Sequence, residues 1–372
     1  MDTLTHALVG AAISDAAFRD RLGPRATSFA LLAAALPDLD LLLYFVNPDQ
    51  SWMWHRGYTH AIPVFFLLAP LLGLIGHFLG RKKARYPKGG RWLSWTVLAF
   101  LCLLSHTLLD LVTSWGTMPL LPFSDARLSW DLVPILDIFL TSVAAGSFAL
   151  NRLLRWERVD EFLNPLAYPI VHEYPGRRWA ATWFSRLAML LLAAYLGVAV
   201  AQNAQTIRLA EKELAAQGVT GVQEVRALPI MFTYLAWGIV ARDGEGNFHR
   251  ALFSSYAPRP LQFTKVAGSS ADPEVSQALA SPDGQRFAWF TQNLFTARRE
   301  VDASGQPVVL LQDIRFPVLG PSSQRGAGIN LWKTAEGDSF QSTRLHPSIS
   351  WSDIKAEVFR LWRLTRYGDT DW

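Results

Sequence analysis

Four stretches of this chain are apolar over about twenty residues each, which is the length that a helix needs to cross the hydrocarbon core of a bilayer. They cover residues 61–80, 92–112, 133–154 and 183–202. Half of the 372 residues are hydrophobic and only 18% are charged, a balance typical of a membrane protein with an attached domain. These stretches predict that the N-terminal part of the chain lies in a membrane.

Two further stretches add weaker candidates. Residues 29–46 are long enough but carry Pro37 and two aspartates in their middle. Residues 1–18 have a helical period, are interrupted by His6 and Asp15, and could span the membrane, re-enter it or lie along its surface. The expected fold class is therefore a polytopic α-helical membrane domain with five or six membrane segments, followed by a soluble α+β domain.

The distribution of basic residues predicts an orientation. Lysines and arginines concentrate in 19–27, 81–91 and 151–181, whereas 47–60 and 113–132 hold one arginine each. The positive-inside rule places the first three regions in the cytoplasm and the chain after residue 202 outside. Because the N-terminus lacks a basic region and a cleavage site, we expect no signal peptide. The expected location is the bacterial inner membrane, as a multi-pass protein with an extracytoplasmic C-terminal domain.

The composition changes near residue 203, which predicts a membrane domain over 1–202 and an extracytoplasmic α+β domain over 203–372. Residues 203–217 have the pattern of a short amphipathic helix leaving the membrane. Beyond them, 232–256 and 287–316 each have the pattern of two strands around a turn, the second turn at Ser304–Gly305. No role for this domain follows from its sequence.

Charge and cysteine content exclude some classes of function. The formal net charge of +4 is too small to indicate nucleic-acid binding. Cys102 is the only cysteine and lies in an apolar segment, so neither a disulfide framework nor a thiolate metal site is available.

Ionisable side chains in membrane segments cost about 2.5–3.5 kcal/mol each on insertion scales, and they usually serve a function. In and beside its apolar segments this chain keeps several of the types that bind metals, namely His6, Asp38, Asp40, His55, His60, His106, Asp110 and Asp137. His106 and Asp110 are four residues apart in a helical segment, so both project from one face toward a single ion. Under the orientation above, the residues in 38–60 and 106–110 fall at a similar depth near the outer face, and His6 joins them if residues 1–18 span.

Each of these residues also has a structural interpretation. His60 could be an interfacial residue, Asp40 a helix cap and His106–Asp110 an internal hydrogen bond, while His6 could be a polar contact near a terminus. Their convergence at one depth favours a metal site over these separate interpretations. The remaining histidines carry no such signal: His77 is expected at the cytoplasmic interface, and no special role is expected for His172, His249 and His346.

Four motifs in the first 120 residues, "DTLTHALVG", "LPDLD", "HRGYTH" and "SHTLLDLVTSWGT", resemble a bacterial family of predicted membrane-bound, metal-dependent hydrolases, one group of which is under LexA control. The chain is also distantly similar to zinc-dependent phospholipase C and the P1-type nucleases. The resemblance implies that Asp38, His60, His106 and Asp110 bind one metal, with Asp110 bridging toward a second metal held by His6. The phospholipase pattern has further ligands downstream, whereas no histidine follows Asp110 here until His172, so one or two ions are expected.

Imidazole and carboxylate ligands suit Zn²⁺, and Mn²⁺ and Fe²⁺ also accept them. Such a centre predicts hydrolysis, with Asp40 or His55 orienting a ligand or accepting a proton and Arg56 holding an anionic phosphate. A site at the outer leaflet indicates an amphiphilic, lipid-like substrate, and the lipid bilayer is the expected partner. Two other functions stay open: a small ion or proton-coupled transporter that uses the His/Asp cluster, and an envelope protein in which a metal only stabilises the fold.

Overall fold

The structure is a computed structural model that describes residues 1–46, 51–81, 92–155, 175–232, 235–269, 272–302, 305–316, 328–333, 340–344 and 351–368. The basic region 82–91, His172, Ser304 and His346 fall outside these residues. The chain divides into two compact units. The first comprises Met1–Leu43, Trp54–Ser129 and Ile135–Val198, and the second comprises Tyr44–Met53, Trp130–Pro134 and Ala199–Trp372.

The described elements of the N-terminal region are helical. They are α1 (Thr3–Ala17), α2 (Arg19–Leu22), α3 (Arg25–Ala35), a 3₁₀ helix (Leu36–Phe45), α4 (Ser51–Trp54), a 3₁₀ turn (Tyr58–His60), α5 (Ile62–Arg81), α6 (Trp92–Leu111), α7 (Ile138–Leu154) and α8 (Pro175–Ala216).

Four helices among the described residues are long and apolar enough to cross a membrane, judged by length and composition alone. They cover Arg25–Phe45, Ile62–Gly80, Trp92–Leu111 and Gly176–Ala216. The predicted segment 133–154 is helical only over Ile138–Leu154, 17 residues, and is shorter than these four helices. Its first residues stay outside the helix because Asp137 caps it, accepting a hydrogen bond from the Leu140 N–H (2.8 Å).

One prediction about helix extent is corrected, and the structure describes the helix at residues 1–18, whose placement the sequence left open. Residues 203–217 do not form a separate helix, because α8 continues without a break for 42 residues. No glycine or proline interrupts the chain between Val198 and Ala216 to end the helix earlier. Residues 1–18 form α1, whose 15 residues extend over about 22 Å, too short to cross the hydrocarbon core by themselves. Buried residues occur around the whole circumference of α1, whereas Leu4 near its start is exposed.

Close helix contacts in the first unit depend on glycines. A Cβ atom at Gly10 of α1 would lie 2.5 Å from the Ala34 Cβ of α3. A Cβ atom at Gly73 of α5 would lie 2.6 Å from the Thr96 backbone nitrogen of α6. Small residues let membrane helices approach closely, and this brings α1, α3 and α6 near enough to share polar contacts.

The described residues of the C-terminal region form two four-stranded antiparallel sheets, each a meander. The first consists of β1 (Glu224–Pro229), β2 (Ala236–Arg242), β3 (Phe248–Ser254) and β4 (Thr264–Val266), and the second of β5 (Phe295–Val301), β6 (Pro307–Asp313), β7 (Gly328–Lys333) and β8 (Phe340–Arg344). Helices α9 (Pro273–Ala280), α10 (Pro282–Phe290) and α11 (Trp351–Tyr367) complete it. Both predicted hairpins are confirmed, as β2–β3 and β5–β6, with Gly246 and Gly305 at positive φ in their turns.

Candidate metal centre

Three elements of the first unit supply the clustered histidines and aspartates. Asp38 and Asp40 lie on the 3₁₀ helix, which follows α3 at Leu36–Pro37, where proline removes a backbone donor. His60 ends the 3₁₀ turn, and His106 and Asp110 are one turn apart on α6. The turn before His60 is sharp because Arg56 adopts a positive φ of 70°. The chain therefore turns back at this point and presents His60 to α6.

Four donor atoms converge in this cluster: Asp38 Oδ1, His60 Nε2, His106 Nε2 and Asp110 Oδ2. The two Nε2 atoms are 2.9 Å apart. Asp38 Oδ1 is 3.6 Å from His60 Nε2 and 3.4 Å from His106 Nε2. Asp110 Oδ2 is 3.1 Å from His60 Nε2 and 3.5 Å from His106 Nε2. All four residues are buried, so their charges and lone pairs face one another and not water.

Hydrogen bonds fix the tautomers of both histidines. His106 Nδ1 is 2.6 Å from the Ala34 carbonyl oxygen, which can only accept, so Nδ1 carries the proton. Thr59 Oγ1 donates to Asp40 Oδ2 (2.8 Å) and therefore accepts from His60 Nδ1 (2.9 Å). In their neutral forms, both imidazoles then direct the lone pair of Nε2 into the cluster.

This donor set fits a divalent metal ion. Two lone pairs at 2.9 Å repel each other unless a cation lies between them, and two carboxylates in the same place add negative charge. Among the described residues, Asp110 Oδ2 is buried and accepts no hydrogen bond of good geometry. A tetrahedral zinc site with bonds of about 2.0–2.1 Å has neighbouring donor atoms about 3.3–3.4 Å apart. The separations of 2.9 to 3.6 Å lie around that value.

A second possible set, Asp40, His55 and His60, shares one histidine with the first. Asp40 already accepts from His55 Nδ1 (2.7 Å), Thr59 Oγ1 (2.8 Å) and the Arg56 N–H (3.1 Å). Its oxygens are thus engaged with protein donors, as in a carboxylate that orients metal-binding histidines. Burial lowers the pKa of His55, although the hydrogen bond to Asp40 opposes this shift. His55 is therefore neutral at pH 7, and its Nε2 lone pair is available to accept a proton.

The other oxygen of Asp110, Oδ1, contacts a different group of donors. Arg56 Nη2 is 3.0 Å away and His6 Nε2 is 3.2 Å away, and the amino group of Met1 also contacts it. The His6 ring stacks on the His106 ring with centroids 3.6 Å apart. The structure thus places His6 against Asp110, on the side where the resemblance implied a second metal.

Arg56 has a contact that the sequence did not indicate. Its side chain is almost fully buried. It pairs with the Asp110 carboxylate and donates hydrogen bonds to Thr113 Oγ1 (2.8 Å) and to the Asp110 backbone carbonyl oxygen (3.3 Å). A guanidinium held in this way offsets the charge of Asp110, and it does not present a surface to a phosphate in this conformation.

Several supporting residues escaped sequence reasoning. Thr3 donates to Asp38 Oδ2 (2.5 Å), Thr107 donates to the His60 carbonyl oxygen (2.8 Å), and Arg127 donates to the carbonyls of Gly116 (2.9 Å) and His55 (3.3 Å). The one sequence feature that could have indicated such residues is adjacency: Thr59 directly precedes His60, and Thr107 directly follows His106.

Two residues named from the sequence lie apart from this cluster. Asp137 caps α7 and accepts a hydrogen bond from the Tyr195 hydroxyl (2.5 Å). His249 is 3.0 Å from Asp243 at the β2–β3 turn, a contact that gives it a structural partner.

Comparisons with known proteins agree with a membrane location. A family model described as "YdjM inner membrane protein" matches residues 1–206. The inner membrane protein YbcI of Escherichia coli (strain K12) is 35% identical over 137 residues, which cover 36% of this chain and 75% of YbcI. The uncharacterized protein YfhP of Bacillus subtilis (strain 168) is 30% identical over 157 residues, 39% of this chain and 45% of YfhP. No solved structure matches. The chain belongs to the YdjM inner membrane protein family.

Proposed function

We propose that this protein is a membrane-bound metal-dependent hydrolase that cleaves an ester or phosphoester of an amphiphilic, lipid-like substrate. One observation carries the proposal: two imidazole Nε2 atoms lie 2.9 Å apart in a buried site, and a carboxylate oxygen of Asp38 and one of Asp110 each lie 3.1 to 3.6 Å from both of them. Burying such a set without a cation is costly, so its presence in a membrane helix bundle indicates a bound ion.

The ligands in this proposal are Asp38, His60, His106 and Asp110, and Zn²⁺ is the ion that best suits two imidazoles and two carboxylates. A zinc ion here would lower the pKa of a bound water and polarise a carbonyl or phosphoryl oxygen. Hydrogen bonds keep the ligands in place: the Ala34 carbonyl oxygen accepts from His106, the Thr59 hydroxyl accepts from His60, and the Thr3 hydroxyl donates to Asp38.

Asp40 and His55 would handle the proton. His55 donates Nδ1–H to Asp40, which leaves Nε2 as the acceptor, and its side chain is 13% exposed, more than any of the four proposed ligands. A neutral histidine oriented by a carboxylate is a common general base. Arg56 would stabilise the charge of Asp110 and keep its Oδ2 directed at the cluster.

The location of the site supports a lipid-like substrate. The positive-inside rule puts the turn at Tyr58–His60 near the outer face, with the chain after residue 202 extracytoplasmic and five or six segments in or across the membrane. A substrate reaching a site at that depth needs an apolar part, as a phospholipid or a lipid-linked phosphate has. Similarity to phospholipase C chemistry would follow from this arrangement.

A second candidate function is a structural metal site that stabilises the bundle. The observation that favours it is the closure of the ligand set: the four ligands all come from the protein and are buried. Structural zinc sites have four protein ligands, whereas catalytic sites keep an open position. Catalysis with this set would require one carboxylate to yield its place or the ion to accept a fifth ligand.

Turnover by the full chain separates these functions. Purified protein in mild detergent is mixed with lipid-like ester and phosphoester substrates, with zinc and after removal of zinc by a chelator. The proposal expects turnover that needs zinc, and His55→Ala should lower it about 100-fold or more while metal content stays unchanged. The matched control His77→Ala changes a histidine at the far end of α5 and should leave turnover unchanged. Metal-binding protein that shows no turnover with any substrate class would favour the structural site.

A further inference from the structure

The outward face of helix α11 has an unusual composition. Its inward side packs Leu361 and Leu364 against Ile230 and Ala236 of the first sheet. The exposed side carries Val358, Phe359 and Trp362, which are 51%, 57% and 45% exposed, and Tyr367 at the end of the helix is 48% exposed. A helix at a protein–water surface normally carries charged and polar residues on this side. The outward face of α11 is therefore more apolar than a helix face that contacts only water.

The aromatic side chains of this face form one continuous patch. The rings of Phe359 and Trp362 stack with centroids 5.7 Å apart, and Trp362 meets Tyr367 edge to face at 5.4 Å. The Arg366 guanidinium lies 5.8 Å from the ring centroids of both Trp362 and Tyr367. Such arrangements combine an apolar body with a cationic edge.

The charge on this part of the helix has one sign. Residues 358–368 contain Arg360, Arg363 and Arg366 and no aspartate or glutamate. Tryptophan and tyrosine concentrate at the headgroup level of bilayers, and arginines beside an apolar face attract anionic lipid headgroups. The chain connects this region covalently to the candidate spans, which raises the effective concentration of a bilayer surface.

We propose that the outward face of α11 binds the surface of a bilayer that contains anionic lipid. The aromatic patch enters the headgroup region, and the arginines contact lipid phosphates. This inference does not depend on the metal site, because it uses only residues of α11 and their packing on the first sheet.

The test uses the full chain, reconstituted in vesicles of phosphatidylcholine with or without phosphatidylglycerol. A fluorescent probe is attached in a Cys102→Ala background at Val358→Cys or, as a matched control, at Val301→Cys on β5, where valine is 67% exposed. Lipids that carry a nitroxide near the headgroup should quench the probe at 358 about twofold or more over the probe at 301. The excess should shrink without phosphatidylglycerol and in the Arg363→Gln/Arg366→Gln variant.

Two results would overturn the proposal. Equal quenching at both positions would show that α11 does not meet the bilayer. Shielding of the 358 probe from aqueous iodide without quenching by lipid would show that a protein covers this face, and concentration-dependent shielding in detergent would identify a second copy of the chain. Both probed positions are exposed, and circular dichroism checks that each variant is folded.

Discussion

Replacing Asp40 by asparagine should weaken metal binding without abolishing it, and the contrast with Asp38→Asn decides which of two overlapping clusters binds the ion. Asp38 and Asp40 lie two residues apart on the same 3₁₀ helix, and each belongs to one possible ligand set. In our account Asp38 is a ligand, whereas Asp40 holds His55 and, through Thr59, His60. The two substitutions change equally few atoms and differ only in the role of the carboxylate.

The size of the effect follows from the hydrogen bonds at Asp40. Its two oxygens accept from three donors, on His55, Thr59 and the Arg56 backbone. An asparagine keeps one of these oxygens and directs an N–H at a donor in place of the other, so at least one of these bonds is lost. A hydrogen bond to a charged group contributes about 1.5–3 kcal/mol. Because the lost hydrogen bond helps to orient His60, its loss should lower the affinity for zinc by about 10–100-fold.

Competition with a chromophoric chelator in detergent measures this affinity. We expect Asp40→Asn to keep the zinc stoichiometry of the wild type with the weaker affinity, and Asp38→Asn to lose more than about 100-fold because an anionic ligand is removed. Retained affinity in Asp38→Asn together with lost stoichiometry in Asp40→Asn would refute the reasoning and place the ion between Asp40, His55 and His60.

Three other predictions concern packing and support. Gly73→Ala should lower the stability of the detergent-solubilised protein by about 1–3 kcal/mol because α5 and α6 must separate. Gly146→Ala, with open space around it, should be neutral or stabilising. Thermal unfolding of both variants shows whether each substitution lowers or raises the stability. Thr3→Val removes the hydroxyl that orients one carboxylate ligand and should weaken zinc binding several-fold in the chelator assay. Leu364→Ala should destabilise the second unit by about 2–5 kcal/mol in chemical denaturation, and Trp362→Ala should not, since the first side chain is buried and the second exposed.

Local spacing accounts for the part of the site that the sequence predicts best. His106 and Asp110 lie on one face of α6 because four residues make about one helical turn. The approach of Asp38 and His60 was expected from a common depth in the membrane and from the family resemblance. The structure shows contacts that accompany it: the Ala34 carbonyl of α3 binds His106, and Thr107 of α6 binds the His60 backbone. Long-range contacts of this kind leave no periodic pattern in a sequence.

The residues that support the site were the hardest to predict from the sequence. Thr3 contacts Asp38 where α1 packs closely on α3, and Gly10 allows this close packing. A single glycine in an apolar stretch does not predict such a contact. Arg56 was predicted to hold an anionic phosphate because a guanidinium can bind phosphate through two hydrogen bonds. The structure instead turns it inward at a positive φ, toward Asp110, a conformation that an Arg-Gly pair does not specify by itself.

Some boundaries of helices and strands were predictable from the sequence and others were not. The two hairpins of the C-terminal region were predictable because a glycine-containing turn between alternating residues fixes their register. The start of α7 was missed because apolar composition continues from Val133 into the helix, while the cap at Asp137 sets its first residue. Composition also changes within α8, from apolar to amphipathic, without any change in backbone conformation.

The metal content of the purified protein tests the central claim most directly. Elemental analysis of the full chain in mild detergent, after loading with zinc and removal of the excess, is compared with His106→Ala/Asp110→Ala and with the His77→Ala control. The account predicts about one or two equivalents of zinc in the wild type and in the control, and a near-complete loss in the folded double variant. A wild-type protein without metal above background, even after loading, would contradict it. A proton shared between His60 and His106 would then explain their 2.9 Å contact, and the proton-coupled transporter would become the favoured hypothesis.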